Sequence, residues 1–319
     1  MTDILSITAP IYLAIAAGFM AVRSGIFQKS DAQVLGRYVL QFALPAMLFS
    51  ALASRNFAEV MHPNYLAAYA LGSLFALLVS WWLARWAAPN DQTLRILMGL
   101  GGSSSNSGYI GYPILLQVLG PAAGVGLALT LLVENLLMIP FALSLAEISQ
   151  SQEASWQRNV IDSFKRLARM PMMWAIVLGF SFSMLGWHLP VVIEKTVALF
   201  SVACAGTALF VIGCALVGLR VKGLMSQVSG VVFSKLFVHP LAVGFFLWQL
   251  VPMDVSLQIS GVILASVPML SIYPIFAHRF GHESVCAGAL LVTTLVSFFT
   301  ISGLLAVSAW VPGWASVIR

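Results

Sequence analysis

Long apolar stretches, separated by short polar connections, follow one another along almost the entire chain. Ten of them are close to or above the roughly 20 residues that an α-helix needs to cross the hydrocarbon core of a bilayer. They cover residues 4–22, 33–53, 65–87, 96–118, 122–146, 172–188, 191–218, 227–251, 257–278 and 285–311. None shows the alternating pattern of a barrel strand, and a backbone in lipid must satisfy its own hydrogen bonds. The sequence therefore predicts an all-α membrane protein.

The two halves of the chain resemble each other at an offset of 161 positions. The matching residues are Ser105, Tyr112, Pro113 and Ile114, which recur as Ser266, Tyr273, Pro274 and Ile275. The same offset maps Leu48-Phe49 onto Leu209-Phe210 and places helix-breaking Pro45 opposite Gly206. Repeats of this kind are typical of secondary transporters.

Each half contains five apolar segments, and five is an odd number. The second half would therefore enter the membrane from the side opposite to the first, so we expect ten transmembrane helices arranged as two inverted five-helix repeats. The first repeat covers residues 1–146, a linker covers 147–170, and the second repeat covers 171–319.

The composition supports a membrane location and gives an orientation. Hydrophobic residues make up 60% of the chain and charged residues only 8%, whereas soluble domains carry about a quarter charged residues. The net charge of +5 does not indicate nucleic acid, because the basic residues are scattered and form no stripe. Twelve of the 16 Lys and Arg residues lie in cytoplasmic connections if the N-terminus is outside. We therefore predict a multi-pass membrane protein with both termini outside.

The linker has the pattern of a basic amphipathic helix on the cytoplasmic leaflet. Its apolar positions are Trp156, Val160, Ile161, Phe164 and Leu167, opposite Arg158, Asp162, Lys165, Arg166 and Arg169. A plain connector between the repeats is the simpler interpretation, and a regulatory or partner-docking role is the alternative.

Two apolar segments contain residues that disfavour a continuous helix. Residues 101–113 read Gly-Gly-Ser-Ser-Ser-Asn-Ser-Gly-Tyr-Ile-Gly-Tyr-Pro, and residues 266–274 contain Pro268 followed by Pro274. We expect the fourth and ninth helices to be broken and to cross near the midplane, where exposed helix N-termini favour a carboxylate. The alternative is that these small residues merely allow close helix packing.

The candidate residues fall into three sets. Substrate-binding candidates on the two breaks are Ser105, Asn106, Ser107, Gly108, Tyr112, Pro268, Ser271 and Tyr273. Predicted helix breaks lie at Pro45, Gly206, Pro113 and Pro274. Candidates for ion coupling or charge compensation are Glu134, Asn135, Lys235 and His239.

The third set rests on the cost of ionisable groups in lipid. Glu134 is a candidate carrier of a coupling proton or a structural partner of a polar neighbour. Lys235 has three interpretations: compensation of an anionic substrate, pairing with Glu134, or snorkelling to the membrane surface. For His239 an ordinary buried hydrogen bond is expected. No metal site or cofactor is expected, and sodium coupling would require clustered oxygen ligands.

Four short stretches together resemble the auxin efflux carrier family. They are Leu44-Pro45-Ala46-Met47-Leu48-Phe49, Ser-Asn-Ser-Gly-Tyr-Ile-Gly-Tyr-Pro at 105–113, Asn135 with Ile139-Pro140, and Lys235-Leu236 followed by Pro240. The resemblance implies a ten-helix carrier related to the bile acid and sodium symporter fold, with a scaffold domain of helices 1, 2, 6 and 7 and a core domain, each drawn from both repeats. The short central connection is typical of bacterial members, which implies a location in the bacterial inner membrane. The resemblance also implies that Asn106 contacts the substrate carboxylate. Plant members tend to have proline in both crossovers, whereas this chain has it only in the second.

The function expected from these features is secondary active transport of a small organic anion by alternating access. Bacterial relatives in the family are commonly labelled malonate or malate transporters, which favours mono- or dicarboxylates. The alternatives are a sodium-coupled symporter of a larger organic anion or a non-transporting membrane receptor. The apolar segments lack a paired Asp or His-rich motif, so an intramembrane enzyme is not expected. Proton or sodium coupling, the transport direction and a homodimer are left open.

Overall fold

The computed structural model describes residues 2–55, 60–150, 165, 168–218, 224–250, 253–308, 310–311 and 313–314, with the side chains of 2–7 excepted. Twelve helices within this part are labelled in chain order. They are α1 (Thr2–Arg23), α2 (Lys29–Ala53), α3 (Pro63–Ala87), α4 (Gln92–Ser103), α5 (107–119), α6 (123–150), α7 (Pro171–Leu185), α8 (Val191–Leu216), α9 (Met225–Gln249), α10 (Val255–Ser266), α11 (Tyr273–His278) and α12 (Glu283–Ser308). The described residues contain no strand, so the predicted all-α class is confirmed.

Six helical stretches are long and apolar enough to cross a membrane: α2, α3, α8, α9, α12 and the stretch Gln92–Gln150. Shorter apolar helices lie at Thr8–Arg23, Pro171–Leu185 and Val255–Ser266. The stretch Gln92–Gln150 has 59 residues, which exceeds one crossing at 1.5 Å per residue. It is interrupted at 104–106 and again at Gly120, whose positive φ of 60° suits glycine. The ten-helix inverted arrangement remains a prediction.

Wide helical turns in the described chain each precede a proline. These π turns are Val39–Ala43, Ser107–Gly111, Glu134–Met138 and Ser234–Val238. The prolines that follow them are Pro45, Pro113, Pro140 and Pro240. In each case the residue before the proline donates its backbone N–H to a carbonyl five residues back. Because proline has no N–H and clashes with the preceding turn, the wider turn lets the helix continue.

The predicted break at Pro45 is therefore wrong, since α2 continues through it. The predicted break at Gly206 is also wrong, because Gly206 lies within the uninterrupted helix α8. A single glycine in a long apolar helix weakens it without ending it. Pro113 likewise lies inside α5, and only Pro274, the second residue of α11, directly borders a non-helical segment.

The helices pack in two groups. Helix α8 lies along α1 and α2, and α7 packs against α2. At Gly213 of α8, a Cβ atom would stand only 1.8 Å from the backbone oxygen of Ile15, so glycine is required for this close contact with α1. The second group contains α3, which packs against α4 and α9, together with α6 beside α4 and α10 beside α9.

The predicted linker falls largely outside the described residues. Helix α6 continues to Gln150, and residues 151–164 and 166–167 are not described. The prediction of an amphipathic helix there stays a prediction.

Candidate functional site

The first non-helical segment, residues 104–106, separates α4 from α5. Helix α4 ends at Ser103 and Ser104 is already extended, with φ −117° and ψ 140°. The run of glycine and serine around it has low helix propensity, so little free energy is lost when the helix stops here. Asn106 then precedes α5, and its carbonyl accepts hydrogen bonds from the N–H groups of Ile110 and Gly111, both at 3.0 Å. The predicted break in the fourth segment lies at these residues.

The second non-helical segment, residues 267–272, separates α10 from α11. Pro268 lies within it, and Tyr273 begins the next helix. The two segments are in direct contact, because the backbone N–H of Asn106 donates to the carbonyl oxygen of Pro268 at 2.8 Å. The side-chain amide of Asn106 donates to the hydroxyl of Ser271. Two interruptions from distant parts of the sequence therefore satisfy part of each other's backbone hydrogen bonding.

Glu134 lies beside the first segment and is fully buried. Its Oε1 accepts from the backbone N–H of Ser105 at 2.9 Å, from the Ser107 hydroxyl at 3.0 Å and from the Tyr69 hydroxyl at 3.4 Å. Its Oε2 has no hydrogen-bond partner among the residues that the structure describes. The carboxyl group thus holds the non-helical backbone in place with one oxygen and leaves the other available.

Lys235 approaches the same segment from α9 and is also fully buried. Its Nζ donates to the Ser105 hydroxyl at 2.8 Å and to the Ala265 carbonyl at 2.6 Å, and it lies 2.9 Å from His239 Nδ1. The other ring nitrogen of His239, Nε2, lies 3.0 Å from the Ser73 hydroxyl on α3. Snorkelling of Lys235, one of the three interpretations above, is wrong, because internal acceptors hold the side chain.

Ser105 connects the two charged groups. Its N–H donates to Glu134, and its hydroxyl accepts from Lys235. Within the described residues, Glu134 and Lys235 form no direct ion pair, so this serine is their link. Because the two oppositely charged groups bond to the same serine, each lowers the free-energy cost of burying the other. The arrangement offers hydrogen-bonding groups and an acid–base pair at the point where the two breaks meet.

The remaining predicted residues border this centre. Ser107 and Gly108 begin α5, and Tyr112 is buried where its π turn ends. Tyr273 is buried and donates its hydroxyl to the Leu97 carbonyl of α4 at 3.0 Å. Asn135 does not join the network, since its amide donates to Leu131 of its own helix at 2.8 Å.

Sequence reasoning missed one contributor, the polar face of α3. Tyr65, Tyr69 and Ser73 are spaced four residues apart and are completely buried. Tyr69 contacts Glu134 and Ser73 contacts His239, while Tyr65 lies 2.7 Å from the Thr130 hydroxyl. Spacing at i, i+4 places side chains on one helix face, so a polar stripe on an apolar helix was the available signal.

A comparison with protein families decides the family. The model of the membrane transport protein family matches residues 3–305, which is nearly the whole chain. The chain belongs to the membrane transport protein family. This confirms the resemblance to the auxin efflux carriers. As a member with several long apolar helices, it is a multi-pass membrane protein.

Relatives of this membrane transport protein share low but extensive similarity with it. A protein of Rhizobium meliloti named "Putative malonate transporter" is 23% identical over 309 residues, covering 96% of each chain. The "Uncharacterized transporter YfdV" of Escherichia coli is 24% identical over 236 residues, which are 73% of this chain and 74% of that protein. The mouse "Lysosomal cholesterol signaling protein" is 26% identical over 317 residues, but the match covers only 36% of its length.

Proposed function

We propose that this protein is a secondary transporter that moves a small organic anion across the membrane by alternating access. The observation that carries the proposal is the hydrogen bond between Asn106 and Pro268, which joins two non-helical segments inside a buried, largely apolar core. Non-helical backbone at membrane depth is tolerated only where protein buries it or where it lines a cavity. In carriers built from repeats, such paired breaks form the substrate site.

The proposed substrate is a carboxylate, with malonate as the first candidate and malate as the second. The first amides of α5 have no carbonyl one turn back to accept their hydrogen bonds, and the helix dipole makes this end attractive to an anion. The carboxamide of Asn106 stands at the same point, where its contact with Ser271 can be exchanged for one with the substrate. The name of the Rhizobium relative supports malonate.

The proposed architecture is two inverted five-helix repeats with both termini outside. The first packing group, α1, α2, α7 and α8, would be the scaffold, which agrees with helices 1, 2, 6 and 7 of the predicted order. The helices that carry the two breaks would move against it. This division accounts for the glycine-mediated close contact between α1 and α8, which suits a rigid unit.

We assign Glu134 the role of proton carrier and Lys235 that of charge compensation. Glu134 touches the first break directly through Ser105 and Ser107, so a change in its protonation would alter that backbone. Its second oxygen, Oε2, is buried without a partner in the described structure and offers a place for a proton. Lys235 holds the other side of Ser105 and keeps the centre electrically balanced.

Substrate counterflow in reconstituted vesicles tests the proposal. Vesicles containing pure protein and preloaded with unlabelled malonate are expected to accumulate radiolabelled malonate from outside, since a carrier exchanges its substrate without an energy source. Protein-free vesicles provide the background. Malate and an aromatic carboxylate, tested in parallel, measure selectivity. If none of these acids exchanges above background, the transporter assignment fails.

A further inference from the structure

A cavity of about 170 Å³ with an open mouth lies between α6 and α11. Asn135 and Ile272 line its inner end, Leu143 and Phe276 line its walls, and Glu147 and Arg279 lie at its outer end. Most of the lining is apolar, so the charged pair at the mouth is its principal polar feature.

The inner end of the cavity adjoins the crossover. Asn135 directly follows Glu134, and Ile272 directly follows Ser271, which accepts the side-chain hydrogen bond of Asn106. From Asn135 to Glu147 the cavity follows twelve residues of α6, or about 18 Å of helix at 1.5 Å per residue. The cavity therefore runs along α6 from Asn135, the sequence neighbour of Glu134, to the last turn of the helix, and Ile272 of the second non-helical segment lines it.

The mouth is held by an ion pair. Nη1 of Arg279 donates to Oε1 of Glu147. The Arg279 side chain is 62% exposed, whereas that of Glu147 is only 13% exposed, so an ion arriving from outside the protein meets the guanidinium first. Other charged groups at this end are matched separately, with His282 near Asp91 at 3.3 Å and His278 near Glu283 at 2.6 Å.

We infer that this cavity is the substrate's access path and that Arg279 captures the organic anion at its mouth by exchanging Glu147 for the substrate carboxylate. The inference rests on the proposed transport function. A guanidinium binds a carboxylate through two parallel hydrogen bonds, so substrate and Glu147 compete for the same group. The apolar walls offer the anion little to hold it between the mouth and the crossover. In the absence of substrate, Glu147 thus occupies the guanidinium of Arg279.

Two charge-removing substitutions test this inference, because they are expected to change KM in opposite directions. Arg279→Gln removes the capturing group and is expected to raise the KM for radiolabelled malonate counterflow about tenfold, the loss typical of one charge-assisted hydrogen bond. Glu147→Gln removes the competitor and is expected to lower KM. Arg279→Lys keeps the charge without the planar fork and should fall between the wild type and Arg279→Gln. Arg23→Gln, at an exposed arginine ending α1, is the matched control and should keep the wild-type KM.

The outcomes separate the inference from the proposed function. If the wild type exchanges malonate but Arg279→Gln keeps its KM, the inference is overturned while the transporter assignment stands. If both substitutions raise KM and lower the melting temperature equally, the ion pair is only structural and the inference is again overturned. If wild-type vesicles exchange none of the tested acids, the proposed function fails and the access path fails with it.

Discussion

The backbone N–H of Asn106 donates a 2.8 Å hydrogen bond to the carbonyl oxygen of Pro268, a residue 162 positions further along the chain. Each of the two residues lies in a gap between helices, where backbone groups lack their usual partners. This hydrogen bond gives one backbone group in each gap a partner. Each break therefore helps to stabilise the other, and together they form a polar centre in an apolar protein.

Replacement of Asn106 by alanine tests the role of its side chain. The backbone bond to Pro268 remains possible, whereas the carboxamide that contacts Ser271 is lost. We expect malonate affinity to fall by roughly 1 to 3 kcal/mol, the cost of leaving a buried polar group unpaired. Titration calorimetry on the purified protein measures it. Asn64→Ala, at an exposed asparagine near the start of α3, is the control. Unchanged affinity in the Asn106 variant would remove this side chain from the site.

Removal of either buried charge tests the link through Ser105. Glu134→Gln leaves the Lys235 ammonium without its compensating charge, and Lys235→Gln does the reverse. Loss of one partner of a buried charged pair costs roughly 3 to 5 kcal/mol, so each variant should melt at a clearly lower temperature. The double variant should lose less than the sum of the two, because neither charge is then left alone.

Lys195→Gln, at an exposed lysine of α8, provides the control for these melting measurements. Strictly additive losses in the double variant would mean that Glu134 and Lys235 are energetically independent despite their shared serine.

Glu134 is also expected to decide how transport responds to a proton gradient. In the Glu134→Gln variant the side chain can no longer gain or lose a proton, although it remains similar in size. Uptake driven by an imposed pH difference should fall to the level of vesicles without a gradient, while malonate counterflow should continue. Among the described residues, the titratable or charged groups that face Glu134 are Tyr65, Tyr69 and Lys235, with His239 behind Lys235. Glu194→Gln is the control. If the Glu134→Gln variant still accumulates malonate in response to the pH difference, proton coupling depends on a residue other than Glu134.

Two helical glycines, Gly101 of α4 and Gly206 of α8, should respond differently to alanine. A Cβ atom at Gly101 would stand 2.7 Å from the Tyr273 ring, whereas none of the described atoms beyond the helix itself lies within 4 Å of one at Gly206. Gly101→Ala should therefore displace Tyr273 from its bond to Leu97 and lower the melting temperature. Gly206→Ala should be neutral or raise it slightly, since alanine favours a helix by roughly 0.5 to 1 kcal/mol. Equal melting temperatures would show that Tyr273 is not closely packed.

Local composition was enough to locate the interrupted helices. The serine and glycine run before Pro113 and the proline at 268 disfavour a helix regardless of what surrounds them, and each region contains a non-helical segment, at 104–106 and 267–272. The same reasoning failed at Pro45 and Gly206, because a wide turn can absorb a proline and a long apolar helix can tolerate one glycine. Short-range preferences therefore indicate where a helix is weak, but tertiary packing decides whether it ends there.

The residues of the site could be predicted from the sequence better than the contacts between them. Glu134 and Lys235 are recognisable in the sequence because ionisable residues are rare in apolar segments. That both would bond to Ser105 depends on how α6 and α9 pack around the break, and no pattern in either helix specifies that. The polar stripe of Tyr69 and Ser73 was detectable from its spacing, whereas the Arg279–Glu147 pair depends on contacts across 132 positions.

A density map of the protein with malonate bound tests the central claim most directly. The account predicts extra density beside the Asn106 side chain, in contact with the start of α5 and with the segment that contains Pro268. Helices that run unbroken through residues 104–106 and 267–272, or malonate density remote from both segments, would contradict it.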